Sequence, residues 1–198
     1  MLSDKVAYGI SQSGGSGTAV VDLKLSSVDG WLFGAGIASL AAERGGAEAN
    51  LLAGRSAQRG VHAWQATVAA FAPLGPGALR VRDYLQVGLG YAWNERLQLN
   101  VWLVPNLFGP EAGGGTLRGR VVAVEAGWQQ PIGRRVALNA GVGHVDFGPL
   151  ALPSYSYGSL GIGAGFGRTQ VFVTRVFSDS NAPDAAGPRA LISVLVNF

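Results

Sequence analysis

The chain has 198 residues, room for one domain with a full core or one barrel, and only 14% of them are charged, well below the roughly 25% of a soluble domain. Its mean hydropathy is +0.25, yet the longest apolar run, 31–42, holds about 12 residues and contains Ser39, whereas a spanning helix needs about 20, which excludes a helical membrane protein. The formal net charge of +3 comes from scattered rather than clustered basic residues, which argues against nucleic-acid binding, and zero cysteines exclude a disulfide framework and a thiolate metal site.

Apolarity without long runs is what alternating strands produce, because only every second residue has to face lipid. Strands are marked here by alternation, and breaks by clusters of Gly, Pro, Asn and Asp. In chain order the strands fall at 5–12, 18–27, 31–40, 47–57, 61–72, 79–93, 96–104, 117–130, 135–147, 155–166, 169–178 and 190–198. Connections after even-numbered strands are short. Those after odd-numbered strands are mostly longer and richer in Gly and Pro, such as the loop at 105–116. In an up-and-down barrel these two sets lie at opposite ends, short turns on the periplasmic side and longer loops outside. The fold class expected is therefore all-β: a transmembrane up-and-down antiparallel β-barrel of about twelve strands, one domain over 1–198, with strand one closing on strand twelve and both termini periplasmic.

The two phases of each strand differ. Strand two points Val21, Leu23 and Leu25 outward, and Asp22, Lys24 and Ser26 inward; strand six points Leu85, Val87, Leu89 and Tyr91 outward, and Arg82, Tyr84, Gln86, Gly88 and Gly90 inward. The expected lumen lining is Asp22, Lys24, Glu48, Arg82, Gln86, Asn100 and Glu125. Inward charges must be hydrated or paired, so they fit either a charge-selective pore lining or a network that plugs a narrow barrel. Glycines of strands three, six, nine and ten share the inner face and are expected to leave lumen volume open, which favours the pore. Asp83 breaks the outward pattern and is placed near the external rim. Strand eleven resists phasing, because Arg175 inside takes Val171 and Val173 inside with it. Trp31, Trp64, Tyr91, Trp93, Trp128, Phe166 and Phe198 all fall in the apolar phase at the periplasmic end, as an interfacial aromatic girdle would.

The stretch 190–198 alternates, with Ala190, Ile192, Val194, Val196 and Phe198 on one side. Ile192, Val194, Val196 and the terminal Phe198 resemble the C-terminal strand of bacterial outer-membrane barrels, which implies the signal that barrel-assembly machinery reads; the alternative is the last strand of a soluble β-sandwich. No apolar leader segment follows Ser3, Asp4 and Lys5, so the expectation is a mature chain.

Several short motifs resemble the TorF-family porins of proteobacteria. Ser3 and Asp4, then Gly9, Ile10, Ser11 and Gln12, are similar to that family's opening Ser-Asp-Tyr and Arg-Gly-Ile-Ser-Gln. Gly30, Trp31, Leu32, Phe33 and Gly34 resemble its Ser-Gly-aromatic strand, and Glu48, Ala49 and Asn50 its Glu-x-Asp strand. Pro105, Asn106, Leu107, Phe108 and Gly109 resemble its Ser-Pro-Asp-x-Phe-Gly segment. Tyr8 stands where the family usually has Arg, Lys5 where it has Tyr, and Val104 and Asn106 replace Ser and Asp. The resemblance implies an outer-membrane barrel of porin type.

Catalytic chemistry has one candidate. His144, with Asp146 in the same strand phase and Ser154 or Ser156 within reach, could belong to a Ser-His-acid hydrolase, but no local motif supports it and a rim histidine is the favoured reading. His62 reads as a rim residue too. A calcium loop from Asp179, Asn181 and Asp184 lacks the required Gly and Glu pattern. The chain is expected to be no enzyme, with no catalytic, metal or cofactor-binding residues. The favoured function is passive passage of small hydrophilic solutes across the bacterial outer membrane. The alternative is a closed structural or interaction barrel that binds lipopolysaccharide or a partner, with Arg44, Arg118, Arg120 and Arg189 meeting lipid phosphates; an outer-membrane lipid hydrolase comes third. The expected partners are outer-membrane lipids, lipopolysaccharide and the barrel-assembly machinery.

Overall fold

The computed structural model describes residues 6–7, 10–11, 20–39, 46–75, 83–110, 116–148, 150, 153–167, 169–179 and 189–196. Among the described residues two short strands, β1 (Val6–Ala7) and β2 (Ile10–Ser11), pair with each other. All other strands form one sheet: β3 (Val20–Ser26), β4 (Trp31–Ser39), β5 (Ala47–Arg59), β6 (His62–Leu74), β7 (Tyr84–Trp93), β8 (Leu97–Pro110), β9 (Thr116–Pro131), β10 (Val136–Asp146), β11 (Tyr155–Phe166), β12 (Thr169–Ser178) and β13 (Arg189–Val196). These eleven strands lie in strict chain order, and every neighbouring pair is antiparallel. Among the described residues the outermost strands, β3 and β13, are not paired with each other.

Consecutive antiparallel pairing sorts the connections by end. The β3–β4, β5–β6, β7–β8, β9–β10 and β11–β12 links take two to four residues, and the links between them at the other end take five to ten. The short links use turn chemistry that matches the strand twist. Gly60 takes φ +60° as the first residue of a two-residue loop, the position that a type II′ turn reserves for glycine. Asn94 and Glu95 both adopt positive φ, 52° and 57°, and Arg96 N–H bonds back to Trp93 O at 3.0 Å, which makes a type I′ turn.

The two faces of the sheet differ. On β4, Trp31, Phe33, Ala35 and Ile37 are exposed, while Leu32, Gly34, Gly36 and Ala38 occupy the opposite face. The same alternation runs along β5 to β12, and the exposed face is predominantly apolar, with Arg55, Arg120 and Arg175 among its exceptions: Leu23 is 61% exposed, Leu51 66%, Leu89 60%, Val142 63% and Leu160 60%. A contiguous apolar surface of this extent is far larger than the few hundred Å² a soluble monomer shows. A β-sandwich would bury it against a second sheet, and the described strands form no second sheet beyond the β1–β2 pair.

Three sequence expectations need revision. The strand expected at 5–12 is interrupted, and its two pieces form the β1–β2 hairpin; Gly9 falls between them, and a glycine inside a strand weakens it and favours a turn. The loop expected at 105–116 is largely strand. Pro105 lacks an N–H for the ladder, and a bulge between Val104 and Leu107 accommodates it, after which pairing resumes with Leu107 opposite Gly119 and ends with Pro110 opposite Thr116. Finally, β12 acquires a phase: Phe172, Thr174 and Val176 lie opposite Gly163, Gly161 and Ser159, and Arg175 lies opposite Leu160 on the apolar face.

Candidate functional site on the inner wall

The face opposite the apolar one is mixed, and it carries the described lumen candidates. Lys24 on β3 lies opposite Gly34 of β4. Glu48 on β5 accepts a hydrogen bond from Tyr84 Oη of β7 at 3.2 Å, and the Tyr84 ring stacks on Phe71 of β6 with centroids 4.7 Å apart and planes within 6°. Gln86 of β7 lies opposite buried Ala69. Asn100 of β8 and Glu125 of β9 are direct cross-strand partners. The structure thus brings Asn100 beside Glu125 and Glu48 beside Tyr84, while Lys24 stands apart on the outermost strand. The side chain of Asp22 and the whole of Arg82 lie outside the described residues.

Neutral polar groups fill much of the rest. Ser56, Gln65, Gly90, Gln98 and Asn100 line a depression of about 230 Å³ toward the short-turn end. Asn139 on β10 presents a buried Nδ2 without a hydrogen-bond partner among the described residues. Toward the long-loop end the same face turns apolar. Val104, Val121, Ala123, Val145, Phe147, Leu150 and Tyr155 form a buried cluster, and Tyr84, Trp102, Leu107 and Tyr157 pack against it. Alternation alone does not reveal this cluster, because Val104, Val121 and Val145 occupy positions that a polar-inside pattern assigns to the lumen.

Three of the inner glycines, Gly88, Gly143 and Gly163, do not leave open space in the way expected from sequence. Tyr157 lies directly opposite Gly143, Phe172 opposite Gly163, and Trp102 opposite Gly88. A methyl group on Gly143 would meet the Tyr157 ring, one on Gly163 would lie 2.7 Å from Phe172 Cε1, and one on Gly88 would lie 3.1 Å from Trp102 Cδ1. Each glycine is therefore a flat seat for an aromatic ring from the adjacent strand, the arrangement by which rings shield strand glycines.

On the apolar face, Trp31, Trp64, Tyr91, Trp93, Trp128 and Phe166 all sit at the short-turn end. His62 Nδ1 lies 2.8 Å from Tyr91 Oη, and His62 stacks on Trp64 with centroids 5.9 Å apart. Phe198 lies outside the described residues. Ile192, Val194 and Val196 sit opposite Val173, Val171 and Thr169 in the ladder, with their side chains outside the described residues.

At the other end, His144 Nδ1 lies 3.0 Å from Ser156 Oγ on the neighbouring strand. Asp146 does not orient this imidazole through its described bonds: its Oδ1 accepts Gly148 N–H at 2.9 Å and Ser154 Oγ–H at 3.0 Å. Asp179 Oδ2 accepts Ser156 N–H at 2.7 Å. These bonds tie the 147–154 connection to the end of β10, β10 to β11, and the residue after β12 to β11, so the cluster works as a clasp on the hairpin. Asn181 and Asp184 of the calcium candidate lie outside the described residues, as do Arg44 and the side chains of Arg118 and Arg189; Arg120 is exposed on β9. Asp83 is exposed at the long-loop end, immediately before β7.

No protein-family model matches the chain, and no curated protein matches it either. Among solved structures, the chain is similar to the NanC porin in a rhombohedral crystal form, with a TM-score of 0.70 over 91% of this chain and 93% of that one, at 6% sequence identity. At that identity the likeness concerns the fold, which is that of a porin-like β-barrel.

Proposed function

We propose that the chain is a single-domain β-barrel of the bacterial outer membrane that admits small hydrophilic solutes by passive passage. The observation that carries this reading is the division of one continuous antiparallel meander into an exposed apolar face and a face bearing Lys24, Glu48, Gln86, Asn100 and Glu125. Lipid demands the first and a wetted lumen the second. The porin-like fold and the sequence likeness to TorF-family porins support it. In this reading twelve strands close the barrel, the N-terminal segment that carries the β1–β2 hairpin supplying the twelfth between β3 and β13. Short turns face the periplasm, and the aromatic set from Trp31 to Phe198 marks the inner-leaflet boundary. The barrel-assembly machinery reads Ile192, Val194, Val196 and Phe198. The protein has no enzymatic role; the His144–Ser156 contact belongs to the hairpin clasp.

A second reading has its own support. The buried cluster around Val145 and Tyr155 narrows the long-loop end, as a closed barrel that meets lipopolysaccharide or a partner through its loops would need. Liposome swelling separates the two. A pore admits small sugars and excludes larger oligosaccharides, so vesicles carrying the protein swell at rates graded by solute size. Swelling no faster than in protein-free vesicles favours the closed barrel.

A further inference from the structure

Arg55 is exposed on the apolar face of β5, in phase with Leu51 and Ala53, and its guanidinium carbon lies 5.4 Å from the centroid of the Trp31 ring on β4. Its ladder partners are Trp31 on one side and Ala66 on the other. A cation on the lipid-facing side of a transmembrane strand is costly at mid-membrane and cheap near the interface, where it reaches the lipid phosphates. Arg59, four residues on and about 13 Å further along the same strand face, brings a second guanidinium to the short-turn end.

Beside Arg55 the surface is hollowed. Ala57 and Ala66 are small, so the larger side chains around them, Trp64, Leu89, Tyr91, Leu99 and Val101, enclose an open groove of about 460 Å³. The groove begins at Arg55 and runs across the sheet over a purely apolar floor, Ala66, Leu89 and Val101 being successive partners in the ladder. A cation at one end and an apolar trough at the other match a molecule with an anionic phosphate head and an acyl chain.

We propose that this groove is a binding site for an anionic glycerophospholipid of the inner leaflet, with its phosphate held by Arg55, Arg59 adding positive charge beyond it, and an acyl chain lying over Ala66, Leu89 and Val101. Trp31 shields the outer side of the guanidinium, and Trp64, fixed between His62 and Tyr91, forms the interfacial wall. The proposal rests on the membrane-barrel reading above.

The test is native mass spectrometry of the folded protein released from detergent, titrated with phosphatidylglycerol and with phosphatidylcholine of the same acyl chains. Wild type should retain phosphatidylglycerol in preference. Arg55→Gln with Arg59→Gln should lower that retention by about fivefold per arginine, the scale of one cation against an anionic lipid. Arg96→Gln, a charge loss in the nearby turn, should leave it unchanged. Equal retention of the two lipids by wild type overturns the site, as does undiminished phosphatidylglycerol binding by the double variant. Gel heat-modifiability of the same samples reports on the barrel independently: its absence in wild type refutes the barrel reading and the site with it, while its presence with unselective binding refutes the site alone.

Discussion

Gly143→Ala tests whether inner-face glycines seat aromatic rings. A Cβ at Gly143 would lie 2.6 Å from both Tyr157 Cε1 and Tyr157 Oη, well inside contact distance. The ring has little room to retreat, because Tyr157 packs against the buried cluster and its centroid is 6.3 Å from that of Tyr155. Overpacking of this kind costs about 1–3 kcal/mol. Against it, replacing glycine restricts the unfolded chain and returns about 0.4–1 kcal/mol. The expected net loss therefore lies between about 0 and 2.6 kcal/mol, centred on about 1.3 kcal/mol. Gly127 on the same face is the control: a Cβ there would meet only Gln98 Cβ at 3.8 Å, an ordinary contact, so Gly127→Ala should be neutral or slightly stabilising. Urea unfolding in detergent micelles, followed by tryptophan fluorescence, measures both. Truncating the ring should remove the clash, so Gly143→Ala should lose its penalty in a Tyr157→Ala background, a coupling of about 1–2 kcal/mol. A harmless Gly143→Ala, or a penalty that survives loss of the Tyr157 ring, refutes the reasoning.

Glu95→Gly should stabilise the β7–β8 turn by about 0.5–1 kcal/mol, because Glu95 holds φ at 57°, a conformation that costs an L-residue about 1–2 kcal/mol and glycine almost nothing; the same urea titration reads it. Glu48→Gln with Glu125→Gln removes two negative charges from the inner face and should shift ion preference toward anions by a few-fold, reversal potentials in asymmetric salt giving the measure; an unchanged potential would place both groups away from the conducting path. Phospholipid turnover should stay at the protein-free background for wild type and Ser156→Ala alike, and turnover that vanishes on losing Ser156 would make the His144–Ser156 pair catalytic.

How much of this was readable in advance depended on the range of the physical signal. Alternation is local, so 84–93 alone placed Leu85, Val87 and Leu89 on one face and Gln86, Gly88 and Gly90 on the other, as the strand does. Turn chemistry is equally local, and Gly60 and Asn94 marked hairpin ends that the ladder shares. Register is not local. That Tyr157 covers Gly143, or Phe172 Gly163, follows only once two strands are aligned residue by residue. Arg175 defeated the phasing of its strand because a charge was assumed to face inward, whereas the ladder opposite β11 puts it outward with Val171, Val173 and Phe177, its guanidinium carbon 5.5 Å from the Phe177 ring centroid. Pro105 read as the start of a loop because proline breaks a ladder; a bulge absorbs it and the strand continues to Pro110. The apolar cluster around Val145 escaped notice for the reason that hid the ring seats: its members come from β8, β9, β10, β11 and the 147–154 connection and meet only in the folded sheet.

Single-channel recording in planar bilayers tests the central claim most directly, since Lys24, Glu48, Gln86, Asn100 and Glu125 matter to transport only if water and ions pass along the face that carries them. Purified, heat-modifiable protein should insert and give discrete, lasting conductance steps, with a selectivity that changes in Glu48→Gln with Glu125→Gln. Protein that inserts and folds as a barrel yet never conducts would contradict the pore and leave the apolar cluster at the long-loop end as a permanent closure.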